Sequence, residues 1–256
     1  MGSLGWAGLA ATTFAAALLQ AASGFGFAVL AAPLFLLFVD PASAIQLVII
    51  ITAALSVVVL PGLRRAVAPG MLLRLAMGSI AGLPLGLAAF GWADPIMVRL
   101  AVGMAILAFA VLLALVLRRG RAGGRAPFGT SAHGDLIAGA VSGAATALMG
   151  MSGPPVLIYL LLAGAPPRTV RATLLTFFAL SYGATIVAHA LTVGIPGRIW
   201  IAAGILIPFA FLGGLAGRPL GDRLGAGAFA VLAIGVLAAA GLYTLVAAAR
   251  LAAGRP

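Results

Sequence analysis

The chain has 256 residues, of which 64% are hydrophobic and only 7% are charged, and its mean hydropathy is +1.24. A soluble domain carries about 25% charged residues, so these values exclude a water-soluble fold and indicate a protein that crosses a bilayer several times. The net charge of +11 comes from fifteen arginines and no lysine. In a soluble chain such a charge would suggest a nucleic-acid partner; here the arginines lie between apolar runs, where they orient them. With no cysteine there is no disulfide, no thiolate metal site and no cysteine nucleophile.

Ten apolar segments are expected, in chain order Leu4–Gln20, Phe27–Phe38, Ala42–Leu60, Met71–Phe90, Ile96–Leu117, Leu136–Met149, Pro155–Ala163, Thr173–Val193, Ile199–Gly217 and Ala226–Ala249. A helical span needs ~20 residues for a ~30 Å hydrocarbon core. The third, fourth, fifth, eighth, ninth and tenth segments meet that length. The first two and the sixth and seventh form pairs with short members, split by glycine-rich breaks. Each pair is either two spans or a re-entrant hairpin, and both return the chain to its starting side. No basic stretch precedes the first run, which is read as a retained segment rather than a cleaved signal.

On that path eleven of the fifteen arginines, among them Arg64, Arg65, Arg74, Arg118 and Arg171, collect on one side, and Arg99, Arg198, Arg250 and Arg255 on the other. The positive-inside rule puts the larger set in the cytoplasm and both termini outside. The expected localisation is the plasma (inner) membrane, multi-pass. Residues 1–117 form an N-terminal transmembrane repeat, 118–134 a cytoplasmic Gly/Arg-rich linker, and 135–256 a C-terminal transmembrane repeat. Each half has a broken pair, a turn marked by proline, a long helix, a glycine-rich helix and a last helix. Gly78, Gly82 and Gly86 recur every four residues, as do Gly213, Gly217 and Gly221, giving a bare stripe along which another backbone can approach. Five segments per half is an odd number, so the fold class is all-α and polytopic, built from two inverted repeats.

The breaks carry the chemistry. Ser23-Gly24-Phe25-Gly26 interrupts the first pair and Gly150-Met151-Ser152-Gly153 the second. Glycine is costly inside a helix, and irregular backbone at bilayer depth is tolerated only where protein or a water-filled cavity covers it. A broken helix aims the amides and positive dipole end of its second piece at the gap, which favours an anion. The candidate substrate-binding residues are therefore Ser23, Gly24, Phe25, Gly26 and Phe27, with Gly150, Met151, Ser152 and Gly153. Pro154 and Pro155 suit the first turn of the following helix. No arginine is expected in the middle of a segment, so the two helix ends would hold the anion alone. The competing explanation is that these glycines serve only packing.

Gln20 and Thr146 occupy matching positions before the two breaks and join the candidates, as do Gln46, which is costly to bury without a partner, and Thr176. Thr52, Ser56, Tyr159, Thr173, Ser181, Tyr182 and Thr185 are further polar residues inside apolar runs, where serine and threonine commonly bond back to their own helix. His189 is read as a structural histidine at the membrane interface. Asp40, Asp94 and Asp222 are read as turn or cap residues, and with no carboxylate expected at mid-membrane a buried-Asp proton relay is unsupported. A P-loop, H-E-x-x-H and G-x-S-x-G are all absent, which argues against ATP-driven machinery and against an enzyme, and no cofactor or metal is implied.

The combination of S-G-F-G-F at Ser23–Phe27, Pro33, G-M-S-G-P-P-V-L-I-Y at Gly150–Tyr159 and the duplicated layout resembles the TauE/SafE family, exporters of sulfite and organosulfonates. The resemblance covers almost the whole chain. Many members carry a further glycine where Phe27 stands here, a difference that narrows the first half of the site. The resemblance implies a secondary transporter that exports a small sulfur-containing anion by alternating access. An anion channel, or a permease for small carboxylates, is the alternative. The expected partners are a small anionic substrate, the lipid bilayer and, as a candidate, a second copy of the chain in a homodimer.

Overall fold

The computed structural model describes residues 2–59, 68–92, 94–122, 129–223 and 226–252. Among them there are ten α-helices and no strand: α1 (Ser3–Ser23), α2 (Phe27–Phe35), α3 (Pro41–Val59), α4 (Pro69–Trp92), α5 (Pro95–Ala122), α6 (Ala132–Met149), α7 (Gly153–Leu162), α8 (Pro167–Thr192), α9 (Gly197–Arg223) and α10 (Ala226–Ala252). Each expected segment is one helix. The helices commonly start on a proline, whose fixed φ and missing N–H suit a first turn. They also run past the apolar pattern. Helix α5 continues to Ala122 and α6 begins at Ala132, so part of the 118–134 stretch is helical. Hydrophobicity reports the thickness of the bilayer, whereas a helix can continue beyond it. Arg64, Arg65 and residues 123–128 lie outside the described residues.

Among the described residues five helical stretches are long and apolar enough to cross a membrane: Ser3–Ser23, Pro69–Trp92, Ile96–Val116, Arg168–Thr192 and Gly197–Gly217. Helix α3, expected to span, has 19 residues, about 28 Å at 1.5 Å per residue. Helices α2 and α7 have 9 and 10 residues, roughly 14–15 Å and so no more than half of a hydrocarbon core. They cannot cross alone. Each runs back along its partner: the Phe38 ring lies against Gly8 near the start of α1, and the Gly129 amide donates to the Ala163 carbonyl just before α6.

The outer surface is apolar, with Leu73, Met77 and Ile80 exposed along one face of α4 and Ile201, Ile205 and Leu212 along α9. The inward faces are small. Gly78, Gly82 and Gly86 of α4 lie against the backbone of α6 at Leu136, Ala140 and Ala144, and Gly139 and Gly143 of α6 lie against α4 at Leu75 and Ser79. Gly213 and Gly217 of α9 meet α1 at Phe14 and Leu18 in the same way. The glycine stripes thus bring backbones into direct contact, as small-residue spacing allows.

The pairing has a pattern. Helix α4 packs on α6 and α9 on α1, α5 packs on α10, and α3 packs on α8. Exchanging each helix of the first half for its counterpart in the second leaves this set unchanged. The principal seams therefore run between halves, and neither half buries its small-residue faces alone.

Candidate functional site

The first break begins where α1 stops. Gly24 takes the left-handed conformation (φ 84°), and its amide closes the last turn onto the Gln20 carbonyl at 2.7 Å. Gly26 (φ 115°) starts α2. Both conformations are strained for residues with a Cβ. The Ser23 hydroxyl bonds the Leu19 carbonyl at 2.7 Å, receives the Phe25 amide at 3.2 Å and also contacts the Phe25 carbonyl. It holds the turn together. No side chain caps α2, and the opening amides of a helix have no partner within it. Buried Phe27 is its first residue.

A basic side chain stands at this break, contrary to the sequence expectation. Arg171, in the second turn of α8, donates from Nη2 to the Ala21 carbonyl at 2.7 Å. Its Cγ lies where a Cβ on Gly24 would be, 2.7 Å away. The Arg171 Nε is buried without a hydrogen-bond partner. Gln20, one turn before Gly24, is 1% exposed, and both its amide nitrogen and its oxygen lack partners.

The second break is closed. Gly150 (φ 70°) ends α6, its amide donating to Thr146 at 2.8 Å, and the Met151 amide reaches Ala145 at 3.4 Å. The Ser152 amide donates to the Tyr182 hydroxyl at 3.2 Å, and that hydroxyl donates to the Gly150 carbonyl at 2.9 Å. The Ser152 hydroxyl lies 3.1 Å from that of Ser142 and 3.0 Å from that of Ser181, and Ser181 continues to Ser79 at 2.9 Å. Ser142 also donates to the Ser152 carbonyl. A chain of hydroxyls from α4, α6 and α8 thus seals this break. Pro154 and Pro155 remove two more amides from the start of α7. The matched sequence features produce two unlike ends: the first has unsatisfied donors, and the second has spent most of its own.

The two breaks meet. A Cβ on Gly153 would lie 3.9 Å from Phe25 Cβ and 3.0 Å from the Phe178 ring. The Phe25 ring packs edge-on against Phe109 of α5, with centroids 6.0 Å apart. Beside this junction an apolar cavity of about 350 Å³ is lined by Phe109, Met151, Pro154, Pro155 and Ile158. A second cavity, of about 560 Å³, opens where α1, α3 and α9 begin, and includes Trp6, Asp40, Ser43 and Arg198. Burial raises the Asp40 carboxyl pKa, but bonds from Ser43 and the nearby Arg198 charge outweigh it and hold the group below its ordinary value.

The remaining candidates take other roles. Thr146 and Thr176 bond back to the carbonyls of Ser142 and Ala172, at 2.6 and 2.8 Å. The Gln46 amide donates to Gly194 beyond the end of α8 at 2.8 Å, which ties α3 to the α8–α9 turn. Asp40 and Asp94 receive the amides of Ser43 and Met97, at 2.9 and 2.7 Å, as caps do. His189, expected at an interface, is fully covered, with Nε2 3.0 Å from the Ala147 carbonyl and its ring against Phe90.

Three features escaped the sequence reading: Arg171 at the break, the hydroxyls of Ser79 and Ser142, and Asp135. Asp135 is 0% exposed and pairs with Arg74 at 2.7 Å while accepting from Tyr159 at 2.8 Å. It fastens the starts of α4 and α6 to α7.

No curated protein and no solved structure is significantly similar to the chain. Residues 9–244 match the family described as sulfite exporter TauE/SafE, and that span includes both breaks and nine-tenths of the sequence. The chain is therefore a multi-pass membrane protein that belongs to the TauE/SafE family, a family of membrane transporters rather than enzymes.

Proposed function

We propose that the protein is a secondary transporter that exports a small sulfur-containing anion, sulfite or a C2–C3 organosulfonate, held between the two helix breaks. The observation that carries this reading is the junction of Phe25 with Gly153, which puts both broken pairs at one locus inside a transporter family. Discontinuous helices at a repeat interface are where transporters bind substrate. The exchange of helix partners between the halves supports an inverted repeat, and the arginine distribution supports termini outside the plasma (inner) membrane. The close α4–α6 and α1–α9 seams favour movement of each pair as a unit, so alternating access would come from one pair rocking against the other.

Export fits the energetics. In a cell that is negative inside, moving one negative charge outward gains roughly 2.3 kcal/mol per 100 mV, and no coupling ion is required.

The test is thermal unfolding of the purified protein with sulfite, sulfate, thiosulfate, sulfoacetate, sulfolactate, taurine, acetate and chloride. A ligand at a hundred times its dissociation constant adds about 2.7 kcal/mol of stability. Stabilisation by sulfite or sulfonates alone is the expected result. Stabilisation by acetate instead would replace the substrate class with carboxylates, and no response to any anion would overturn the anion site.

A further inference from the structure

We propose that Arg171 and Gln20 are the side chains that anchor the transported anion, and that the anion sits on the first break rather than equally between the two. This deepens the transporter reading and rests on it. Three independent features of the first break agree. Among the described residues the Arg171 guanidinium has no carboxylate partner, the ion pair there being that of Arg74 with Asp135. Its Nη2 is used on the Ala21 carbonyl, while Nε is buried and free. Gln20, 1% exposed, keeps both ends of its amide unpaired, a cost that buried polar groups normally avoid. And the opening amides of α2 have no side-chain cap.

Gln20 and the Arg171 contacts on Ala21 and Gly24 all lie within one helical turn of the break. Gly24 follows Gln20 by four residues, one helical turn, on the buried face of α1. The Arg171 stem occupies the space that a side chain at Gly24 would fill, so the glycine admits the arginine to the end of α1. From there the start of α2 is two residues further on. An anion bound here would receive a charge-assisted bond from Nε, a bond from the Gln20 amide nitrogen and the dipole of α2. Donors from three separate elements suit an anion with three oxygens, as in sulfite or a sulfonate. The Gln20 carbonyl is left for a proton carried by the ligand, such as that of hydrogensulfite.

The second break has no such unpaired side chains: α7 likewise lacks a side-chain cap, but prolines replace two of its opening amides, and its Ser152 amide and the surrounding hydroxyls are mutually satisfied. Its part is to hold α7 and Phe25 in position.

The experiment titrates sulfite and sulfoacetate into the full-length wild type and into Arg171→Gln, Arg171→Lys, Gln20→Leu and Arg198→Gln, reading both the melting temperature without ligand and the dissociation constant. A hydrogen bond to a charged group corresponds to about a tenfold to hundredfold change in affinity. Arg171→Gln should bind that much more weakly, with Arg171→Lys between it and wild type. Gln20→Leu should bind several-fold more weakly yet melt no lower than wild type, because it gives up no internal hydrogen bond. Arg198→Gln, at the other cavity, should bind as wild type does. If Arg171→Gln does not fold, Gln20→Leu and Arg171→Lys still decide the matter. Wild-type affinity in both would overturn the anchor while leaving the transporter reading intact. A wild type that binds neither anion would overturn both.

Discussion

Replacing Gly82 by alanine should weaken the seam between α4 and α6, and the size of the effect follows from the packing. A Cβ at Gly82 would lie 2.8 Å from the Ala140 carbonyl carbon and 3.0 Å from its Cα, against about 3.4 Å for ordinary contact. The shortfall is about 0.6 Å at the carbonyl carbon and larger at its oxygen. Both obstacles are helix backbone, so no rotamer change relieves them, and α4 must move away along a stripe that also holds Gly78 and Gly86. Overpacking of this kind costs about 1–3 kcal/mol, partly offset by up to ~1 kcal/mol of helix propensity. Gly204 of α9 is the internal control, because a Cβ there meets nothing within 4 Å; its alanine variant should be neutral or gain up to ~1 kcal/mol. At roughly 2–4 °C per kcal/mol for a chain of this size, Gly82→Ala should melt several degrees below Gly204→Ala in the same detergent. Equal melting temperatures would show that α4 and α6 are not in backbone contact, and the seam assigned to the stripe would be wrong.

Arg74→Leu strands a fully buried Asp135 carboxylate with only the Tyr159 hydroxyl; removing one partner of a fully buried pair costs about 3–5 kcal/mol, and the loss here is smaller because Arg74 is 36% exposed; adding Asp135→Asn should recover most of it, as a double-mutant melting cycle will read. Tyr182→Phe leaves the Ser152 amide and the Gly150 carbonyl unpaired, at about 1–3 kcal/mol, and hydrogen exchange at Ser152 should accelerate; unchanged exchange would mean that the hydroxyl does not seal the second break. The folded chain holds the Asp40 carboxyl below its ordinary pKa of 3.8, so its stabilising contribution is present above about pH 3.8 and is lost as the pH falls through the lower folded value. Asp40→Asn should therefore flatten the acid limb of a melting-temperature profile and lower stability near neutral pH; an unchanged profile would remove the role of the Ser43 bonds and Arg198.

The breaks were legible because their signal is local. A left-handed residue that ends a helix is most often glycine, and Gly24 and Gly150 do so in the positions their sequence predicts. The stripes were legible for a similar reason, since a four-residue glycine spacing allows close backbone packing whatever the partner. Which helix receives each stripe was not, because α4 meets α6 and α9 meets α1 across the boundary between halves. Arg171 shows the same limit. Near the start of an apolar run an arginine reads as a topology marker, and only the fold, which sets the start of α8 against the end of α1, brings it to Ala21, 150 residues away. The hydroxyl chain at Ser152 depends on Ser79, Ser142 and Ser181 from three helices, each unremarkable in its own segment. Duplicated sequence features thus predicted two breaks but not their difference in unsatisfied donors.

The central claim, that the junction of the two breaks carries the transported anion, is tested most directly by counterflow of radiolabelled sulfite in proteoliposomes. Wild type should accumulate label transiently against unlabelled sulfite inside. Gly26→Leu and Gly153→Leu, which place a bulky side chain at a left-handed position and against the Phe178 ring, should insert normally and accumulate none. Counterflow at the wild-type rate in both variants would contradict the site, and its absence from the wild type would contradict the proposed sulfite transport.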